Sequence, residues 1–423
     1  MKVLVYTHHL ELGGSQINAI ELAVTVRDVY GYQVVVFGTP GPALELVEAN
    51  GLRFIPAPTP QMHPSPSMMR ALKQSVRSER IDLVHAWEWP QCLDAFYGVH
   101  LLGDVPLVGS NMSMTVTRFL PRSIPLTYGT PALVEEARRG RAGPVVLLEP
   151  PVDTERNRPD AVDPTEFRER HGLGGDRRNL VIVSRLVAWM KLEGIERSMA
   201  AVARLAREMP VRLVIVGGGT AYDRLTAQAE ELNRALGDRV VVLTGPMTDP
   251  RPAYAAADVV LGMGSSILRG MAFAKPCVVL GEGNFAKVFS PETSEDFLKN
   301  GFFGSGHTHG HPAQLHAQLS ELLTDEGRLR QLGAFSRHLV EDRFSLSLGA
   351  ATLDRLYRAA GDRSVPRLPI ALDAVRTAIL RAASRVVPRG TPRRPRLGDL
   401  AGGARVPSVH RAITPCKEPL DQR

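Results

Sequence analysis

Short, continuously apolar runs alternate along this chain with longer stretches in which apolar residues recur every three or four positions. Lys2–Thr7, Gln33–Gly38, Arg53–Ala57, Ile81–Ala86, Val105–Ser110 and Val145–Leu148 are of the first kind, rich in Val, Ile and Leu. Runs of that kind suit strands buried on both faces. Ser15–Val29, Pro66–Arg80 and Pro131–Arg139 carry the helical period between them. Strand and helix in alternation predict a parallel sheet with right-handed crossovers. The alternation stops in the proline-containing segment Glu149–Asp163 and resumes with Asn179–Leu186, Val211–Gly217, Arg239–Gly245, Asp258–Leu261 and Pro276–Leu280. Leu192–Met209 and Ala221–Leu236 are helical stretches of this second half, and Pro312–Leu323, Arg328–Arg343 and Ser347–Ala360 continue the helical period.

One architecture is therefore written twice. The expected fold class is α/β, two Rossmann-like doubly wound domains facing across a cleft. The first domain is expected over 1–155 and the second over 156–345. A helix over 346–361 is expected to cross back, and a basic, Pro-rich tail follows over 362–423. Open parallel sheets bind ligands outside the carboxyl ends of their strands, so two facing domains make an interdomain cleft.

Composition narrows the function. The net charge is +7, but residues 362–423 carry 13 Lys and Arg against 5 Asp and Glu, which leaves the remainder at −1. A body so near neutrality lacks the basic stripe of a nucleic-acid-binding core, and no nucleic-acid partner is expected. The three cysteines are widely spaced and odd in number, which suits a reducing compartment and argues against a disulfide framework or zinc site. The first residues enter a strand directly, without a leader's basic start and long apolar stretch. A cytoplasmic protein is expected. In the tail, Leu372, Val375, Ile379, Ala382, Ala383 and Val386 form a narrow apolar stripe flanked by Arg376, Arg381 and Arg385. Two readings stay open there: a solvated tail, or a membrane-surface helix that anchors the chain at the inner membrane face.

Candidate chemistry gathers at strand ends. Gly13 and Gly14 precede a helix, where backbone N–H groups can approach an anionic or sugar ligand. Gly217 and Gly218 follow another strand, but no Gly-x-Gly-x-x-Gly pattern and no acidic residue after the next strand complete a dinucleotide fingerprint. Arg185 ends the first strand of the second half and Lys191 precedes a helix, a natural diphosphate site that stabilises charge on a departing phosphate. Gly264, Ser265 and Ser266 open a further helix that carries Arg269, and Glu282 lies in a glycine-flanked turn suited to sugar or ribose hydroxyls. His85, read as the end of the fourth strand, is expected to face the cleft.

These pieces in this order resemble glycosyltransferase family 4, of the GT-B fold. Gly13-Gly14 looks like its donor loop, Asp82-Leu83-Val84-His85 its Asp-apolar-apolar-His strand, and Pro151–Arg156 its linker. Ser184-Arg185-Leu186 with Lys191 is similar to its diphosphate pair. Val214–Gly219, Tyr254–Asp258 and Ala272–Val279 are similar to three further motifs of its second domain. The resemblance implies a nucleotide-diphosphate sugar as donor substrate, a glycan, lipid-linked or small-molecule acceptor, retention of anomeric configuration, and neither a required metal nor a further cofactor. Arg185, Lys191 and His85 are the catalytic candidates it implies. Together with the residues read above, the donor-binding candidates are Gly13, Gly14, Gly217, Gly218, Gly264, Ser265, Ser266, Arg269 and Glu282. The chain departs where the family carries two glutamates seven residues apart, because those positions hold Leu261 and Arg269. Arg269 cannot accept two ribose hydroxyls. Glu282 substitutes, or the donor binds differently, or the protein is a donor-binding scaffold that has lost turnover.

Overall fold

The computed structural model describes residues 1–386 other than 8, 104, 306–312 and 363–366. Seven strands make the first sheet: β1 Lys2–Tyr6, β2 Gln33–Gly38, β3 Arg53–Pro56, β4 Leu83–Trp87, β5 Leu107–Asn111, β6 Leu126–Tyr128 and β7 Val145–Leu147. They lie in the order β3-β2-β1-β4-β5-β6-β7, all parallel. The second sheet holds β8 Arg178–Val183, β9 Val211–Val216, β10 Val241–Gly245, β11 Val259–Gly262, β12 Cys277–Glu282 and β13 Ala286–Val288, with the short β14 Gly304–Ser305 beside β12. Its order is β10-β9-β8-β11-β12-β13, parallel except for β13. Both sheets reverse their winding at the centre, between β1 and β4 and between β8 and β11. Doubly wound sheets bind ligands at such points.

Alternate side chains of each strand feed opposite faces, as the two-residue period requires. Leu4, Tyr6, Val35, Phe37 and Val84 pack with Met68, Leu72 and Phe96 on one face of the first sheet. Val3, Val5, Val34, Val36 and Leu83 pack on the other against Ile20, Leu22 and Val26 of the helix Gly14–Tyr30. That face is completed from far along the chain, by Ala350, Leu353, Leu356 and Tyr357 of the helix Leu346–Gly361. The two chain crossings between the sheets run side by side. Val152 N donates to Phe344 O at 2.7 Å, Leu346 N donates to Val152 O at 3.2 Å, and Arg343 pairs with Glu149 at 2.8 Å.

Three differences from the sequence reading concern the site. β4 runs two residues beyond His85, to Trp87. β6, three residues between proline-containing loops, is too short to show a period. Within the tail, Arg367–Val386 is a helix packed on the first domain, with Ile370 and Ala374 in its core. The rest of the tail lies outside the described residues, Cys416 included. Cys92 and Cys277 are free and buried.

Candidate functional site

Arg185 and Lys191 sit on the loop between β8 and the helix Leu192–Leu205. Burial pulls the Lys191 ammonium down to about 8, and the neighbouring Arg185 cation adds to the effect. The two charges are thus close enough to repel. Among the described residues neither has a carboxylate partner. Two adjacent, uncompensated cations at a helix N-terminus raise each other's energy until a dianion arrives. The loop turns tightly, Lys191 N donating to Trp189 O at 2.8 Å with Met190 at φ 62°. It leaves Trp189 71% exposed beside the cations. Nothing in the spacing of the sequence singled out that indole.

The glycines after β9 serve this loop. A Cβ on Gly217 would stand 1.8 Å from Ser184 O, and one on Gly219 2.5 Å from Leu186 O, with φ of +149° and +144°. The backbones interlock there, Ser184 N donating to Val216 O and Leu186 N to Gly218 O. Gly217 and Gly219 thus seat the Arg185 loop, whereas Gly218 has only the Pro246 ring near its Cα. On the other side, Glu193 accepts from Gly283 N at 3.1 Å and Asn284 N at 2.7 Å. The turn that carries Glu282 is therefore tied to the first turn of the Lys191 helix.

Two helix N-termini meet across the domains. A Cβ on Gly14 would lie 2.8 Å from Ser265 Oγ, so the two helix starts approach closely and a side chain at 14 would turn the Ser265 hydroxyl aside. The helix Ser265–Ala272 starts from Gly264 at φ 62°, and Ser266 Oγ donates to Met263 O. Gly13 is the extended N-cap of the first helix. Ser15 does not cap that helix; its Oγ donates to Glu88 at 2.9 Å. Gly13, Gly14, Gly264, Ser265 and Ser266 thus gather where the carboxyl edges of the sheets face each other.

Two candidates are corrected. His85 does not face the cleft. It lies in mid-strand, fully buried, with Nδ1 2.6 Å from Tyr357 Oη and Nε2 2.7 Å from Ser110 Oγ. Burial holds its pKa down to about 3, so the ring is neutral and both nitrogens are spent on core contacts. The strand's extra two residues put Trp87 and Glu88 at the edge instead. Arg269 is not open to a ribose. Its guanidinium meets Glu21 of the first helix at 3.4 Å, their side chains 12% and 25% exposed. Burial raises the Glu21 carboxyl and Arg269 opposes the shift. The pair stitches the domains together. Arg269→Ala strands a carboxylate three-quarters buried and is expected to lower the unfolding free energy by about 2 kcal/mol. Glu21→Gln with Arg269→Gln should recover most of that loss in a urea-denaturation cycle.

Glu88 is a candidate that the sequence reading missed. It has φ 71° at the β4 edge, which a non-glycine residue adopts only under constraint. Its carboxylate accepts from Ser15 Oγ and from Met112 N at 3.1 Å, and burial raises its pKa. The signal was present as a Glu just past a buried strand and just before Trp89-Pro90, where a charge serves no core.

Comparison with known proteins agrees with this fold. The family described as Glycosyl transferases group 1 matches residues 177–325, which contain the second sheet. A GDP-mannose-dependent alpha-(1-6)-phosphatidylinositol monomannoside mannosyltransferase of Mycobacterium tuberculosis is 31% identical over 233 residues, 52% of this chain and 57% of that protein. The chain thus spans little more than half of that relative. The protein of the same name from Mycolicibacterium smegmatis is 29% identical over 343 residues, 74% of this chain and 85% of that one. Among solved structures, a glycosyltransferase from Rickettsia africae superposes with a TM-score of 0.68 at 13% identity, over 86% of this chain and 99% of that one. Anabaena HepE in complex with UDP-glucose gives 0.67 at 16% identity, over 85% and 100%. At those identities the likeness is one of fold.

Proposed function

We propose that this chain, which has the fold and the donor-domain sequence of a GT-B glycosyltransferase, transfers a hexosyl group from a nucleoside diphosphate sugar to a lipid-linked glycan acceptor. The observation that carries the reading is the Arg185–Lys191 couple before a helix N-terminus at the β8 edge, without a carboxylate partner among the described residues. Such a couple neutralises the diphosphate as the glycosidic bond breaks. GDP-mannose is the first donor to test, because the mycobacterial relatives are by name GDP-mannose-dependent. Their names likewise point to a mannosylated phosphoinositide as acceptor. Glu282, on the turn held by Glu193, is proposed to take the ribose hydroxyls. Glu88 and Ser15 are proposed to face the acceptor from the first domain. Retention of configuration follows from the resemblance to family 4, the leaving diphosphate taking the acceptor proton on the same face of the sugar.

A second reading, donor binding without turnover, is favoured by one observation. At the position where the family holds a ribose carboxylate, Arg269 is committed to Glu21.

One experiment separates the two. GDP-mannose is titrated calorimetrically, and acceptor-dependent release of GDP is then followed. Release supports transfer. Binding without release in the presence of mannosylated phosphoinositide supports the scaffold reading, and no binding overturns both. Affinity should fall as pH rises through the Lys191 value of about 8, because the charged form binds the diphosphate. One pH unit above it, binding should be weaker by about tenfold.

A further inference from the structure

The helix Arg367–Val386 is inside out. Leu368, Leu372, Val375 and Ile379 recur at helical spacing on one side and are 59–70% exposed. Ala371, Ala378, Ala382 and Ala383 extend that outward face. The side turned to the protein is held mainly by polar groups. Asp373 accepts from Ser123 N and Oγ at 2.8 Å, Arg376 donates to Leu120 O and Arg118 O, and Tyr97 Oη donates to Ala374 O. Arg381 lies over the Trp89 ring at 4.8 Å and donates to His63 O. A helix docked only for stability does the reverse, burying its apolar stripe and exposing its charges. An apolar face of this size turned outward marks a contact surface.

We infer that this outward stripe docks on an anionic lipid surface. Charge selects the occupant. Arg381 and Arg385 flank the stripe, and the sequence that follows it, residues 387–423, holds eight Lys and Arg against three Asp and Glu. A second copy would bring the same positive charge to the contact, whereas anionic headgroups oppose it favourably. Among the described residues no helix is long and apolar enough to cross a membrane, so the helix lies on the surface. Its anchor points are Trp89 after β4, His63 after β3, and Arg118, Leu120 and Ser123 after β5. The Arg381–Arg385 end of the stripe therefore sits at the carboxyl edge of the first sheet, by Trp89 and His63, beside the loops proposed above to face the acceptor. A lipid-linked acceptor would reach them without leaving the bilayer. That last step rests on the proposed function; the lipid contact does not.

The test is co-sedimentation of the full chain with vesicles of phosphatidylcholine alone, or mixed with phosphatidylglycerol. The variant is Leu372→Ser with Ile379→Ser, both on the exposed side. The full chain should sediment with the mixed vesicles, and the variant's partitioning should fall by roughly tenfold or more. Absence of binding by the full chain, or equal binding by the variant, overturns the inference. Should the variant fail to fold, Ala378→Cys in a Cys416→Ser background, labelled with an environment-sensitive dye, replaces it. A blue shift on adding mixed vesicles supports lipid contact, and no shift overturns it. A dye already shifted without lipid places the chain's own C-terminal segment on the stripe. Self-association that the serine variant loses places a second copy there. Either also overturns the inference. GDP-mannose binding, measured on the same preparations, reads the proposed function separately.

Discussion

Arg185→Ala combined with Lys191→Ala is expected to abolish binding of nucleoside diphosphates and their sugars. In water one exposed cation is worth little to a phosphate, but Lys191 is largely buried and faces Arg185 without an acidic neighbour among the described residues. The Lys191 charge is therefore available nearly in full to the ligand, and the exposed Arg185 adds a second, reaching it from the loop. Charge-assisted bonds of this kind contribute about 1.5–3 kcal/mol each, so the double loss should weaken binding by about three orders of magnitude. The fold should hold, because removing two mutually repelling cations relieves strain in the empty protein. Calorimetry checks the affinity, and thermal denaturation should show an unchanged or slightly raised midpoint. Unchanged binding would move the diphosphate elsewhere and sink the proposed site. Trp189, exposed on the same loop, offers a second readout: its emission should respond to donor in the parent protein and not in the variant.

Gly217→Ala is expected to be nearly as damaging, by a different route. The new Cβ would sit 1.8 Å from a backbone oxygen that cannot rotate away, at a φ that alanine rarely adopts. The strain alone costs about 1–3 kcal/mol, and the overlap with Ser184 O forces the strand-end loop to move. Loss of stability and loss of donor binding should appear together, since the loop displaced is the one that carries Arg185. Gly218→Ala is the internal control. The nearest atoms to its Cβ would be the Pro246 ring, at 3.3–3.5 Å, a tight contact but with no backbone overlap. It should cost under about 1 kcal/mol and leave binding intact. Equal behaviour of the two variants would disprove the argument that these glycines seat the loop.

Most of the fold was legible because buried parallel strands announce themselves as apolar runs and their crossovers as helical periods. Gln33–Gly38 was bounded to the residue for that reason. The site was less legible. Its residues are set by where strands stop, and an apolar run does not mark its last residue. Reading the β4 end at His85-Ala86 rather than Trp87 put a core histidine in the cleft and left Glu88 unnoticed. Arg269 could be read as ligand-binding only while Glu21, 248 positions earlier, was not known to lie beside it. The Arg367–Val386 stripe was visible as a period, but which side of it faced the protein is decided by partners such as Ser123 and Tyr97 that no local pattern reveals.

The return of the helix Leu346–Gly361 to the first sheet has a consequence for synthesis. Tyr357 closes the hydrogen-bond chain of His85 across 272 positions, and Leu353 and Leu356 cover Val3 and Val5. Strands made in the first moments of translation therefore wait for nearly the whole chain. The second domain, whose contacts lie mainly within the middle of the sequence, can fold while the first is still unfinished on the ribosome. The nascent β1–β5 sheet should carry an incompletely covered apolar face until residues past 357 emerge, and truncations that stop short of that helix should bind chaperones and aggregate.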